Sequence, residues 1–228
     1  MYDVLIKGGR IVDGTGSDSY EADIGVTGGR IVDIGQLDAP ANKTINAEGL
    51  MVSPGFVDPH THYDAQILWD PYATPSNLHG VTTVIAGNCG FSLAPLKNED
   101  ADYTRRMMSV VEGMPLEALE NGITWNWNSF AEYLEVLQGN VAVNAAFLAG
   151  HSALRRTIMG GAACEREATD SELAAMRKLL AESIGAGALG FSTSRSFSHM
   201  DDSGGPVPSR FASEQEVIEL CEELGEHE

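Results

Sequence analysis

His60 and His62 stand one residue apart in Asp58-Pro59-His60-Thr61-His62, at the end of an apolar run over residues 50–57. That run reads as a buried strand. Alternate residues of a strand share a face, so the spacing presents two imidazoles side by side, a pair suited to one divalent cation. Asp58 joins them if the strand persists, or orients a ligand histidine from behind. Cys89 ends a second apolar run in Val84-Ile85-Ala86-Gly87-Asn88-Cys89-Gly90. One strand–helix unit separates it from the histidines, so adjacent parallel strands would bring a thiolate to the same cation. A buried, inert cysteine is the alternative. His151 closes a third run and Ser192 a fourth, with Arg195 just beyond. These three are candidates to face a substrate. Arg195 could grip a carboxylate with its two-pronged guanidinium, or simply form a surface ion pair. Polar groups thus gather at successive strand ends, where open α/β sheets and (β/α)8 barrels place their sites. His79, His199 and His227 carry no such argument, and surface or packing roles are expected of them.

The elements that position these residues are legible in the chain. Ile6-Lys7-Gly8-Gly9-Arg10-Ile11-Val12-Asp13 is echoed by Val26-Thr27-Gly28-Gly29-Arg30-Ile31-Val32-Asp33. Each copy predicts two β-runs joined by a Gly-Gly turn, and residues 1–52 a small antiparallel β-unit. Strands are predicted over 50–57, 81–86, 141–149 and 188–192, all short and nearly continuous in apolar or small residues, as in parallel sheets buried on both faces. Helices are predicted after Ser129, after Thr169 with Glu172, and after Ser213 with Glu216, the last two as capping boxes. Gly185 and Gly225 suit helix ends. Strand–helix alternation over 53–228 predicts an α/β domain with a parallel sheet. Residues 92–128 form a long insertion containing Trp125 and Trp127, expected to pack rather than to act.

Composition excludes several function classes. The 14 basic and 33 acidic residues give a formal net charge of −19, which opposes binding to nucleic acid or to anionic membranes. No stretch approaches the roughly 20 apolar residues that span a bilayer, and the first residues lack a signal-peptide pattern. Three cysteines, widely spaced, make neither a disulfide framework nor a Cys-x-x-Cys knuckle. A reducing, cytoplasmic setting is expected.

The segments SPGFVDPHTHYD, HGVTTVIAGNCG, GHSALRR and GALGFSTSR, preceded by the two GGRIVD copies, together resemble the amidohydrolase superfamily, and within it the N-acyl-D-amino-acid deacylase (D-aminoacylase) group. The resemblance runs along nearly the whole chain. It implies the N-terminal part of a (β/α)8 barrel, about four βα units, preceded by a small antiparallel segment of a β-sandwich. It implies His60, His62 and Cys89 as ligands of one or two zinc or similar divalent ions, and a small N-acyl amino acid as substrate. Other amidohydrolases place a carboxylated lysine near the fourth strand. Here Ser192, Thr193 and Ser194 stand in that region, which fits a bridging cysteine. The family's catalytic aspartate and further histidine ligands are expected beyond Glu228, so the chain looks like the N-terminal half of a longer hydrolase and is expected to hold zinc weakly or below stoichiometry. Three rivals stay open: a cyclic-amide hydrolase on the same fold, a metal-free thiol hydrolase pairing Cys89 with His151, and an inactive fragment.

Overall fold

The computed structural model describes residues 1–225; His227 lies outside the described residues. The chain divides into two compact units, Met1–Gly55 and Phe56–Glu228.

The first unit is a five-stranded sheet of β1 (Tyr2–Ile11), β2 (Tyr20–Thr27), β3 (Arg30–Gly35), β4 (Ala41–Asn46) and β5 (Met51–Val52). β1 pairs antiparallel with β2, and β2 with β3. The second Gly-Gly makes the expected tight turn: Gly28 and Gly29 both have positive φ, 58° and 73°, between β2 and β3. The first does not. Gly8 and Gly9 lie inside the ten-residue β1, where the pairing register shifts between Ile6 and Gly9, so this copy is a bulge rather than a turn. Nor is the sheet wholly antiparallel, because β4 and β5 both run parallel to β1.

The apolar run at 50–57 is not one strand. Ser53-Pro54-Gly55 breaks it into β5, which pairs with β1, and β6 (Phe56–Asp58), which opens the second unit. A proline supplies no backbone donor to a ladder, and the glycine beside it frees the chain to change direction.

The second unit carries β6, β7 (Val81–Ala86), β8 (Asn144–Gly150) and β9 (Gly190–Ser192) as a parallel sheet in sequential order. Its helices are α1 (Ala101–Val111), α2 (Leu116–Gly122), α3 (Phe130–Leu137), α4 (His151–Met159), α5 (Asp170–Gly185) and α6 (Glu214–Gly225). This is the βα succession of a (β/α)8 barrel in its first four strands. The core fills the space between strands and helices with Val84, Phe147, Leu154, Met176 and Leu180. Within the 92–128 insertion Trp127 is fully buried, stacks on Trp125 at 5.8 Å and donates its indole N–H to the Leu93 carbonyl at 2.7 Å. The tryptophans pack, as expected.

Capping boxes close the N-termini of α3 at Ser129–Glu132 and α5 at Thr169–Glu172. The third prediction holds by half. Ser213 Oγ accepts the Glu216 N–H at 3.1 Å, but the Glu216 carboxylate does not fold back to cap. It is drawn instead into a buried ion pair with α4. Among the described residues, no helix is long and apolar enough to cross a membrane.

Candidate metal centre

His60 and His62 follow β6 rather than sit on it, since the strand ends at Asp58. Strand alternation therefore does not place them; stitching to the next strand does. Thr61, between the two histidines, donates both its N–H (2.9 Å) and its hydroxyl (2.8 Å) to the Ile85 carbonyl on β7. Asn88 adds a second stitch, its amide donating to the carbonyls of Thr61 at 3.1 Å and Ile85 at 3.0 Å. These bonds tie the histidine segment to the loop that carries Cys89. The two imidazoles meet edge to face with centroids 5.4 Å apart.

Cys89 itself lies three residues past β7, in a single 3-10 turn over Asn88–Gly90, with φ at 56°. A left-handed non-glycine residue is costly, about 1–3 kcal/mol, and persists only where its surroundings hold it. Ser192, at the end of β9, does the holding. Its hydroxyl donates to the Gly87 carbonyl and accepts the Gly90 N–H at 2.9 Å, one bond on each side of Cys89. Gly87 adds a steric requirement. Its φ is 81°, and a Cβ there would stand 2.2 Å from the Leu148 carbonyl oxygen on β8. The sulfur lands 3.4 Å from His60 Nε2. One donor atom each from His60, His62 and Cys89 lie within 4.8 Å of one another.

Two carboxylates that the sequence did not mark stand beside this cluster. Glu112, immediately after α1, brings Oε1 to 3.1 Å from His62 Nδ1 and is itself nearly buried. This contact holds the His62 imidazole above its ordinary pKa, against the opposing effect of burial. Burial, helped by the Glu112 charge, pushes the Cys89 thiol up. Asp64 is 1% exposed and neither of its side-chain oxygens has an aligned hydrogen-bond partner. Burial pushes its carboxyl up to about 7. Three nitrogen and sulfur donors with an unsatisfied buried carboxyl beside them fit a divalent cation that prefers imidazole and thiolate.

Asp64 makes a prediction for the metal-free protein. Between its unfolded value near 3.9 and about 7, the fold keeps a proton that the unfolded chain releases. The stability this gives is full below the unfolded pKa and is lost as pH rises through the folded one. Asp64→Asn removes the titration. Urea unfolding in chelator should show the variant gaining on the wild type from pH 5 to pH 8, by about 2–4 kcal/mol in all. A gap that stays constant with pH would contradict the burial argument.

The remaining sequence candidates fall elsewhere. Asp58 Oδ1 accepts the His60 backbone N–H at 3.3 Å, so it shapes the chain at His60 and does not touch either ring. His151 does not face a substrate. It is fully buried, with Nδ1 2.7 Å from the Thr193 hydroxyl and Nε2 2.8 Å from Glu216 Oε1. Both ring nitrogens are engaged by Thr193 and Glu216, and the imidazole beside Cys89 is His60, so the thiol–histidine pairing of Cys89 with His151 finds no support. Ser192 braces the Cys89 loop, and both polar functions of its hydroxyl are spent there. Arg195 is exposed and donates to the Ala212 carbonyl at 3.0 Å, holding the loop ahead of α6. His199 is partly buried, packs on Phe91 and pairs with Ser194 Oγ at 2.9 Å.

Comparison with known proteins agrees with this architecture. Residues 43–227 match the family model described as Amidohydrolase family. The chain is 40% identical to D-aminoacylase of Alcaligenes xylosoxydans xylosoxydans over 99% of its own length and 43% of the relative's. A D-aminoacylase structure, described with a binuclear metal centre, superposes with a TM-score of 0.81 at 38% identity, covering all of this chain and 44% of that one. The N-acyl-D-glutamate deacylase of Bordetella bronchiseptica, complexed with zinc and a phosphonate inhibitor, gives 0.82 at 32% identity over 99% of this chain and 43% of that one. The chain thus spans less than half the length of the relatives it matches. With the family model covering most of its residues, the chain belongs to the amidohydrolase family.

Proposed function

We propose that this chain carries the first metal donors of a zinc-dependent amidohydrolase that removes the acyl group from N-acyl-D-amino acids. The observation that carries this reading is the convergence of His60, His62 and Cys89 in a chain similar to deacylases over nearly its whole length. A divalent ion held there would polarise the amide carbonyl and acidify a bound water. The protein's part is to fix the donors: Thr61 and Asn88 set the histidines, and Ser192 grips the Cys89 loop. A thiolate donor favours zinc over magnesium or calcium. The three cysteines are free, which supports a reducing, cytoplasmic setting. A cyclic-amide hydrolase built on a lysine carbamate is less well supported, because Ser192, Thr193 and Ser194 offer no lysine.

The test is release of free amino acid from N-acetyl-D- and N-acetyl-L-amino acids, alongside hydantoin ring opening, by the zinc-loaded whole enzyme that carries this chain, and again after chelation. Deacylation that stops on chelation and favours the D-isomer by about 100-fold or more is expected. Turnover that survives chelation, or ring opening faster than deacylation, would contradict the proposal.

A further inference from the structure

We propose that Glu112 is a positioning residue for His62: its carboxylate holds the imidazole by Nδ1, leaving Nε2 as the nitrogen that meets the cation. This rests on the metal reading of the His60, His62 and Cys89 cluster and adds to it a residue from outside the strand ends. Imidazole has one donor and one acceptor nitrogen when neutral, so an acceptor fixed at one nitrogen decides which lone pair is left for a metal. His62 Nδ1 is sealed from solvent and has no aligned hydrogen-bond partner among the described residues. Glu112 Oε1 stands 3.1 Å from it. The pair stands within ion-pair distance without the alignment of a hydrogen bond. Metal-bound histidines commonly donate their second N–H to a carboxylate in this way, and the partner raises ligand basicity and fixes the ring.

The fold supplies the carboxylate deliberately far from the histidine in sequence. Glu112 is the C-cap of α1, with its own N–H bonded to the Met108 carbonyl at 3.0 Å. α1 is amphipathic and anchored by buried Met107 and Met108, so its last turn is fixed before the carboxylate is placed. Arg156 pairs with Asp100 at the other end of the same helix and stacks on Tyr103, its cation 4.0 Å from the ring centre. The acid that reaches His62 is therefore held by a packed helix, not by a free loop.

A carboxylate 3.1 Å from an imidazole could also bind the cation directly, and a double-mutant cycle separates the two roles. Zinc affinity is measured by competition with a chromophoric chelator for the wild type, Glu112→Ala, Glu112→Gln, His62→Ala and the double variant His62→Ala/Glu112→Ala. Circular dichroism of each metal-free protein checks the fold. Glu112→Ala should weaken zinc about 10–100-fold. Glu112→Gln keeps an oxygen acceptor for Nδ1 and should recover most of that loss. In the His62→Ala background, Glu112→Ala should change affinity by less than about twofold, since the residue it acts through is gone. A loss of equal size in both backgrounds makes Glu112 a direct ligand or a distant charge and overturns the positioning role. An unchanged affinity in folded Glu112→Ala also overturns it, while leaving the metal reading intact. Failure of the wild type to bind zinc overturns the metal reading, and this inference with it.

Discussion

Replacing Arg155 with methionine is expected to lower the unfolding free energy of the second unit by about 3–5 kcal/mol. Arg155 is fully buried on α4. Its guanidinium meets both oxygens of Glu216 on α6 at 2.6 Å and donates to the Arg166 carbonyl at 2.7 Å. Glu216 is 1% exposed and also accepts from His151. Methionine keeps the unbranched stem but not the guanidinium, which strands a carboxylate away from water, and an unpaired buried charge costs far more than the intact pair contributes. Burial holds His151 below its ordinary pKa in the wild type, against the pull of Glu216. With the arginine gone, protonated His151 is the cation left in direct contact with Glu216 among the described residues. The loss should therefore be smaller at pH 5 than at pH 8. All three tryptophans lie in this unit, so fluorescence during urea unfolding reports it directly. A loss under about 1 kcal/mol would show that the buried pair is easily replaced.

Cys89→Ser and His60→Ala are each expected to weaken zinc binding by at least about 100-fold. The sulfur and the imidazole nitrogen lie 3.4 Å apart, close to the edge of a tetrahedral zinc shell. Removing either leaves too few donors to displace water. Serine is a sharp probe, because it changes one atom and keeps the loop. The other two cysteines are the controls. Cys221 is exposed, and Cys164 is partly buried with Tyr103 Oη at 3.1 Å. Changing either to serine should leave zinc affinity within about twofold. Equal losses at all three cysteines would point to non-specific thiol binding.

Most of the parallel sheet and the starts of α3, α5 and α6 were legible in the sequence for physical reasons, and the amidohydrolase family through the resemblance of its motifs. A short run of β-branched and apolar residues reads as a strand, so β7 stands out at its own boundaries. Their positions just past strand ends single out His60, His62 and Cys89 as candidate donors. What was hidden falls into two kinds. In the first, a residue of recognisable type was taken by a stronger partner. Glu216 looked like half of a capping box, but pairing with buried Arg155 outweighs a surface cap. His151 looked like a substrate-facing strand end, and Thr193 with Glu216 closes it off. In the second, no local pattern exists. Glu112 and His62 are brought together by the packing of α1, and nothing in the spacing of residues 92–128 encodes that contact. The break at Ser53-Pro54-Gly55 was visible, yet the apolar run around it concealed that the two halves belong to different sheets.

Zinc K-edge absorption fine structure of the chain titrated with one equivalent of zinc probes the cluster most directly. Shared coordination gives one sulfur neighbour at about 2.3 Å with nitrogen neighbours near 2.0 Å, and Cys89→Ser abolishes the sulfur shell. A spectrum with only light-atom neighbours, or a sulfur shell that survives Cys89→Ser, would mean that these side chains do not meet on one ion.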